Sequence, residues 1–254
     1  FRFFGGINAI IFLKAIIVSL IIWVTIKRFL NKAWHGIFLI VSWLFSALLL
    51  ERTPVRPELI SALLLAFYLY VLFSKKNLYW LLLIQCVWVN VHGYSIIGPA
   101  LIFLFLLSEY VKCRIALPFN WNEQGYFNNR AGYGKGPAVL AIAVFLFLLS
   151  PYGISNLKYP FFAAKDFLCG VHNFYHVSEL SSLNLTDILF TQKHVLLTWA
   201  VILYMISLLL NIKRINIFNP LVYFCFLFMC CAANRNTIFF AVALCFCILD
   251  NLKT

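Results

Sequence analysis

Residues 77–112 read NLYWLLLIQCVWVNVHGYSIIGPALIFLFLLSEYVK, which is two apolar stretches separated by the polar group Asn90-Val91-His92-Gly93. A helix needs roughly 17 to 25 apolar residues to cross the hydrocarbon core of a bilayer. Short or interrupted helices are tolerated where the break lines a cavity enclosed by protein or filled with water. This stretch therefore predicts two short membrane helices joined by a polar turn.

The rest of the chain has the same character. Its 254 residues are 64% hydrophobic and 11% charged, with a net charge of +12 and a mean hydropathy of +0.94. A soluble domain carries roughly 25% charged residues to cover its surface. We therefore expect an all-α, polytopic transmembrane bundle that forms a single domain over residues 1–254, and we exclude nucleic acid as a partner.

Apolar length and the positions of Gly, Pro and charged residues predict about nine membrane helices. The predicted segments cover residues 7–27, 34–50, 58–74, 77–91, 94–112, 137–151, 194–211, 217–233 and 236–250. Residues 152–193 are left as a long segment that we interpret as an extracytoplasmic loop. Six of the eight cysteines lie inside apolar stretches, where we expect them to pack as small hydrophobic residues.

The polar gaps between these helices alternate between two kinds. Basic gaps carry mainly Lys and Arg, at 27–32, 75–76, 112–135, 213–214 and 253. Reactive gaps carry residues capable of chemistry, at 51–58, 90–93, 150–153 with the loop that follows, and 234–236. In a chain that threads a bilayer, alternation places all basic gaps on one side and all reactive gaps on the other.

Orientation follows from the positive-inside rule, which places the side richer in Lys and Arg in the cytoplasm. The basic side carries twelve such residues and the reactive side seven. The reactive gaps are therefore expected to face the periplasm or the outside of the cell. Glu109 falls near the cytoplasmic end of its helix, where we expect it to be solvated.

The first reactive gap contains Arg56-Pro57-Glu58. A proline in the first turn fixes the start of a helix, so the preceding guanidinium is aimed from a defined place. Guanidinium groups bind phosphate through paired hydrogen bonds. We therefore expect Arg56 to bind phosphate or pyrophosphate, with Glu58 beside it, whereas Arg52 is explained equally well by snorkelling to the interface.

Asn90 and His92 form the most specific group. An amide and an imidazole two residues apart, followed by Gly93, either cap the helix or bind a ligand at the membrane surface. For His92 the sequence leaves open the roles of general base, phosphate donor and metal ligand.

The remaining candidates are Tyr152, Glu179 and Arg235. Arg235 lies between two amides and two apolar stretches, so it is expected either to pair with Glu58 or Glu179 or to bind an anion. His172 and His176 would share a face with Glu179 only if that segment were helical, and we assign no metal site there.

In their order along the chain, these motifs resemble a family of bacterial GT-C type glycosyltransferases, the mannosyltransferase-like branch that uses polyprenyl-phosphate sugars. Arg56-Pro57 matches the family's Arg-Pro helix start, and residues 88–93 match its Trp-x-Asn-x-His-Gly turn. Residues 150–153 match an Asn-Pro-Tyr-Gly helix end except at Ser150. Arg235-Asn236 matches a late Arg-Asn element, while residues 177–182 lack the Trp and Pro of the corresponding loop.

The resemblance implies transfer of a sugar from a polyprenyl-phosphate donor at the extracytoplasmic face of the bacterial inner (plasma) membrane. It implies that Arg56, Glu58, Asn90, His92, Tyr152, Glu179 and Arg235 bind the substrate. The family's catalytic acid lies in a first external loop, which we expect upstream of Phe1 in a longer protein. No cofactor is required, although this fold class accommodates a divalent metal.

Two other classes remain open. A transporter or flippase of a lipid-linked or anionic solute would use the same Arg and His residues, and inverted repeats would support it. A non-catalytic membrane subunit would keep the fold without the chemistry.

Overall fold

The computed structural model describes residues 6–27, 35–52, 57–124, 135–158 and 194–252, together with positions 162, 182, 183 and 186. Nine α-helices of eleven residues or more lie in these ranges. They are α1 (Gly6–Lys27), α2 (His35–Arg52), α3 (Pro57–Phe73), α4 (Tyr79–Val91), α5 (Ile97–Arg114), α6 (Lys135–Phe145), α7 (Val195–Leu210), α8 (Phe218–Ala232) and α9 (Thr237–Asn251).

The predicted all-α class is confirmed, since the described ranges contain helices, turns and no strand. Each of the nine predicted segments corresponds to one observed helix, with ends that differ by a few residues. The largest difference is in α6, which ends at Phe145 and continues as a 3₁₀-helix, Leu146–Leu149.

Two stretches are long and apolar enough to cross a membrane, Asn8–Lys27 with a hydropathy of 2.6 and Gly93–Arg114 with a hydropathy of 1.7. The other apolar stretches found in the described helices are 10 to 17 residues long.

Helix α9 forms the centre of the bundle. It packs against α2, α3, α7 and α8, and every residue from Thr237 to Leu249 is buried. A helix that is apolar on all sides lies either in the interior of a protein or in a membrane, and α9 is enclosed by its neighbouring helices. The sequence of α9 therefore explains its central place.

Hydrogen bonds between distant residues bring the reactive gaps together at one end of the bundle. Tyr94 Oη donates to Asn236 Oδ1 at 2.8 Å, and Asn156 Nδ2 donates to the carbonyl of Val89 at 3.0 Å. The backbone N–H of Leu183 donates to the carbonyl of Cys231 at 2.9 Å.

The basic gaps meet at the other end. Trp121 Nε1 donates to the carbonyl of Ile212 at 2.7 Å, and the backbone N–H of Asn120 donates to the carbonyl of Lys213 at 3.2 Å. We call these two regions the reactive end and the basic end.

The expectation that Glu109 is solvated is wrong. Glu109 Oε1 accepts a 2.7 Å hydrogen bond from Lys112 Nζ, and both side chains are 2% exposed. Lys112 Nζ also donates to Asn216 Oδ1 at 2.8 Å, which links α5 to the segment before α8. The two residues are three positions apart on α5, so they share one face of the helix, and that face is turned into the bundle.

Gly98 allows α5 to approach α3 and α4 closely. A Cβ atom at this position would collide with Gln85 Oε1 and would lie 2.8 Å from Tyr68 Oη. Those two atoms are already joined by a 2.7 Å hydrogen bond, and Gln85 Nε2 donates to the carbonyl of Ser95 at 3.1 Å. A larger residue would therefore break a fully buried polar network.

Gly98→Ala should lower the free energy of unfolding by about 2 kcal/mol, because overpacking a tight interior forces side chains from their positions. The measurement is denaturant unfolding of the purified protein in detergent. Gln85→Ala is the control, since it removes the obstructing side chain. The collision is not the cause if Gln85→Ala lowers the free energy of unfolding by the same amount in the Gly98→Ala variant as in the wild type.

Candidate functional site

Seven residues gather at the reactive end around the break between α4 and α5. We call them the His92 cluster, and they come from α3, α4, the break itself, and the connection between α8 and α9. They are Glu58, Ser61, Trp88, His92, Tyr94, Arg235 and Asn236.

His92 occupies the residue at which α4 ends. Its backbone is extended, with φ −158° and ψ 147°, and its N–H still donates to the carbonyl of Trp88. A 3₁₀-helix, Gly93–Ile96, then leads directly into α5. The extended residue between two helices turns the imidazole toward α3, where Nδ1 lies 3.0 Å from Ser61 Oγ.

Trp88 holds Ser61 in place for this contact through a second hydrogen bond. The side chain is fully buried, and its Nε1–H donates to Ser61 Oγ at 3.0 Å. Its ring also meets Tyr68 edge-on, with 5.6 Å between centroids. A buried indole N–H requires a partner, and Ser61 provides it.

Tyr94 joins the two halves of the cluster. Its ring lies 5.1 Å from the imidazole of His92 and 5.4 Å from the guanidinium carbon of Arg235. Its hydroxyl donates to Asn236, whose Nδ2 in turn donates to the carbonyl of Met229 at 2.7 Å. A cation and an imidazole therefore both lie beside the ring of Tyr94.

Arg235 is exposed, and Glu58 is partly buried in the first turn of α3. Glu58 Oε2 is shielded from solvent and accepts no hydrogen bond from any described residue. No ion pair between Arg235 and Glu58 is present within the described ranges, so the predicted pairing of these two is not observed.

The electrostatic surroundings favour a neutral imidazole. Burial lowers the pKa of His92 from its ordinary value, Glu58 raises it, and Arg235 lowers it, with a net lowering. His92 is therefore uncharged at neutral pH. As the pH falls through the ordinary histidine range, the unfolded chain takes up a proton first, so this residue's contribution to stability is lost on acidification.

Of the seven predicted binding residues, the structure brings three together: Glu58, His92 and Arg235. Asn90 is exposed and donates to the carbonyl of Cys86, four residues earlier in its own helix, at 2.8 Å. Tyr152 is 74% exposed at the same end of the bundle. Arg56 and Glu179 lie outside the described residues, as do His172 and His176.

Sequence reasoning missed Ser61 and Tyr94 and gave Trp88 no individual role. One signal for Ser61 was available, because it follows Glu58 by three positions and so shares its helix face. Tyr94 carried no such signal, since aromatic residues are frequent throughout this chain.

The described residues contain no group of three or more His, Cys, Asp or Glu side chains arranged to hold a metal ion. The His92 cluster contains a cation, a neutral imidazole, a carboxylate and hydroxyl groups. Such a set suits an anionic ligand that also carries hydroxyl groups.

No protein-family model, curated protein or solved structure matches this chain.

Proposed function

We propose that this chain is a polytopic membrane protein of the GT-C type that transfers a sugar from a polyprenyl-phosphate donor at the extracytoplasmic face of the bacterial plasma membrane. The resemblance of its ordered motifs supports the family. The observation that carries the proposal is the shared contact of His92 and Arg235 with the ring of Tyr94, beside Glu58.

The outer surface of the helices supports the proposal that the protein lies in a bilayer. Large apolar side chains face outward on α1, α2, α7 and α8, among them Phe12 (68% exposed), Trp43 (67%), Leu210 (70%) and Phe228 (71%). Water around such surfaces is unfavourable by roughly 25 cal/mol per Å² of apolar area. Lipid tails remove that cost, and they also provide the medium in which a polyprenyl chain dissolves.

The His92 cluster fits the polar part of the same donor. Arg235 supplies charge and paired N–H groups for phosphate oxygens, and the imidazole of His92 supplies a further polar contact. Glu58 Oε2, which lacks a partner among the described residues, is suited to accept a hydrogen bond from a sugar hydroxyl. A weakly screened site at the membrane surface strengthens each of these contacts.

The reaction itself breaks the bond between the sugar C1 and a phosphate oxygen and forms a bond from C1 to an acceptor oxygen. Negative charge develops on the departing phosphate, where Arg235 and His92 would stabilise it. The acceptor hydroxyl gives up a proton to a base, and we assign that role to none of the described residues.

The test is transfer of labelled sugar from polyprenyl phosphate by the complete product of the gene, in lipid nanodiscs with a membrane extract as acceptor source. The wild type should transfer label, and a His92→Gln variant should transfer about 10- to 100-fold less, as expected for loss of one contact to a charged group. Failure of the wild type to move label to any acceptor would overturn the proposed reaction. Movement of intact donor across a vesicle membrane would instead assign the cluster to a transporter.

A further inference from the structure

We infer that Ser61 is a positioning residue that fixes His92 in one neutral tautomer, with the proton on Nε2, so that His92 presents a fixed N–H donor at the reactive end. This rests on the proposed function for its ligand, the phosphate of a lipid-linked sugar. It selects one of the three roles that the sequence left open for His92, since an Nε2 that carries the proton is neither a base nor a metal ligand.

Trp88 fixes one of the hydrogen bonds of Ser61. An indole N–H is a donor only, so the 3.0 Å contact between Trp88 Nε1 and Ser61 Oγ has one reading: the serine oxygen accepts. A serine hydroxyl can accept further hydrogen bonds, but it has a single proton to donate.

The hydrogen bond between Ser61 and His92 runs from the serine hydroxyl to the imidazole. Ser61 is fully buried, and its hydroxyl contacts no acceptor in the described part of the chain other than His92 Nδ1, at 3.0 Å. If Nδ1 carried the proton and donated, the serine proton would be left buried without an acceptor, which is unfavourable. Ser61 therefore donates to Nδ1, and a neutral imidazole then carries its proton on Nε2.

The proton of the neutral imidazole of His92 then lies on the other ring nitrogen, Nε2. The ring is only partly buried, and Nε2 makes no hydrogen bond within the described residues. Tyr94 lies against the ring, and the charged groups that act on it are Glu58 on α3 and Arg235 before α9. The Nε2–H donor and the guanidinium of Arg235 therefore both lie beside the ring of Tyr94, and we expect them to donate to the same phosphate group.

The tautomer is tested directly on the full chain in nanodiscs by ¹⁵N-histidine NMR at neutral pH. The chain has five histidines, so His92→Gln identifies the signals of this residue. We expect an unprotonated Nδ1 and a protonated Nε2 in the wild type, and averaged signals in Ser61→Ala. A protonated Nδ1 in the wild type, or unchanged signals in Ser61→Ala, would overturn the inference.

Binding gives a second readout. Ser61→Ala should weaken polyprenyl phosphate binding about 5- to 10-fold, and Ser61→Thr, which keeps the hydroxyl, should restore most of it. Trp88→Phe should keep the tautomer, because the serine proton still has one acceptor. Ser108→Ala is the matched control, since Ser108 is equally buried but donates only to the carbonyl of Phe105 in its own helix.

Failure of the positioning role of Ser61 and failure of the proposed function give different results. The expected tautomer together with equal binding of polyprenyl phosphate and polyprenol would leave the geometry standing and remove the phosphate-lipid function. Phosphate-dependent binding together with a protonated Nδ1, or with no effect of Ser61→Ala, would remove the positioning role of Ser61 alone.

Discussion

Arg235→Gln should weaken binding of polyprenyl phosphate by about 10- to 100-fold, the largest effect on binding expected of any single substitution. A hydrogen bond to a charged partner contributes about 1.5–3 kcal/mol, and each 1.4 kcal/mol is a factor of ten. Glutamine keeps a polar side chain but removes the charge and the paired N–H groups. It also removes the cation that lies 5.4 Å from the ring of Tyr94.

The measurement is a binding titration in nanodiscs of neutral lipid, in which the phosphate of the ligand is the main negative charge. Arg214→Gln is the matched control, because Arg214 is also an exposed arginine in a short 3₁₀-helix, but at the basic end. Equal losses in the two variants would mean that net charge, and not the His92 cluster, determines binding. No loss in Arg235→Gln would remove this residue from the site.

Lys112→Met should lower the free energy of unfolding by about 3–5 kcal/mol, the largest effect on stability expected here. Removing the ammonium takes away the 2.7 Å hydrogen bond to Glu109 and the 2.8 Å bond to Asn216. The carboxylate of Glu109 stays 2% exposed, and a buried charge deprived of its counter-charge is expensive.

A double variant separates this cause from simple loss of packing. Lys112→Met with Glu109→Leu removes both charges and should recover most of the lost stability, because buried ion pairs are replaceable by apolar residues of similar size. Lys213→Met is the control at the same end, where the side chain is exposed and the change should be within about 0.5 kcal/mol. If the double variant is no more stable than Lys112→Met, the buried carboxylate is not the source of the loss.

The class of fold and the grouping of the gaps could be predicted from the sequence because both follow from one-dimensional patterns. Apolar length and polar breaks indicate helices, and strict alternation of the breaks places Glu58, His92 and Arg235 at one end. Those three residues stand out because charged and imidazole groups are rare beside long apolar stretches.

The contacts between individual side chains could not be predicted, because they depend on helix rotation and packing, which polarity alone does not define. Ser61 reads as an ordinary small residue in an apolar helix, and only the packing of α3 against α4 gives it Trp88 and His92 as partners. Polarity also did not define the partner of Asn90, whose amide donates to the carbonyl of Cys86 in its own helix. Glu109 was placed in solvent by its position near a helix end, whereas its helix face is turned inward.

Comparison of polyprenyl phosphate with polyprenol, the same chain without the phosphate, tests the central claim most directly. The protein in neutral nanodiscs should bind the phosphate at least about 10-fold more tightly, because Arg235 and His92 meet an anion in one ligand and a hydroxyl in the other. That preference should disappear in a variant carrying both Arg235→Gln and His92→Gln. Equal affinity of the wild-type protein for the two lipids would contradict the account.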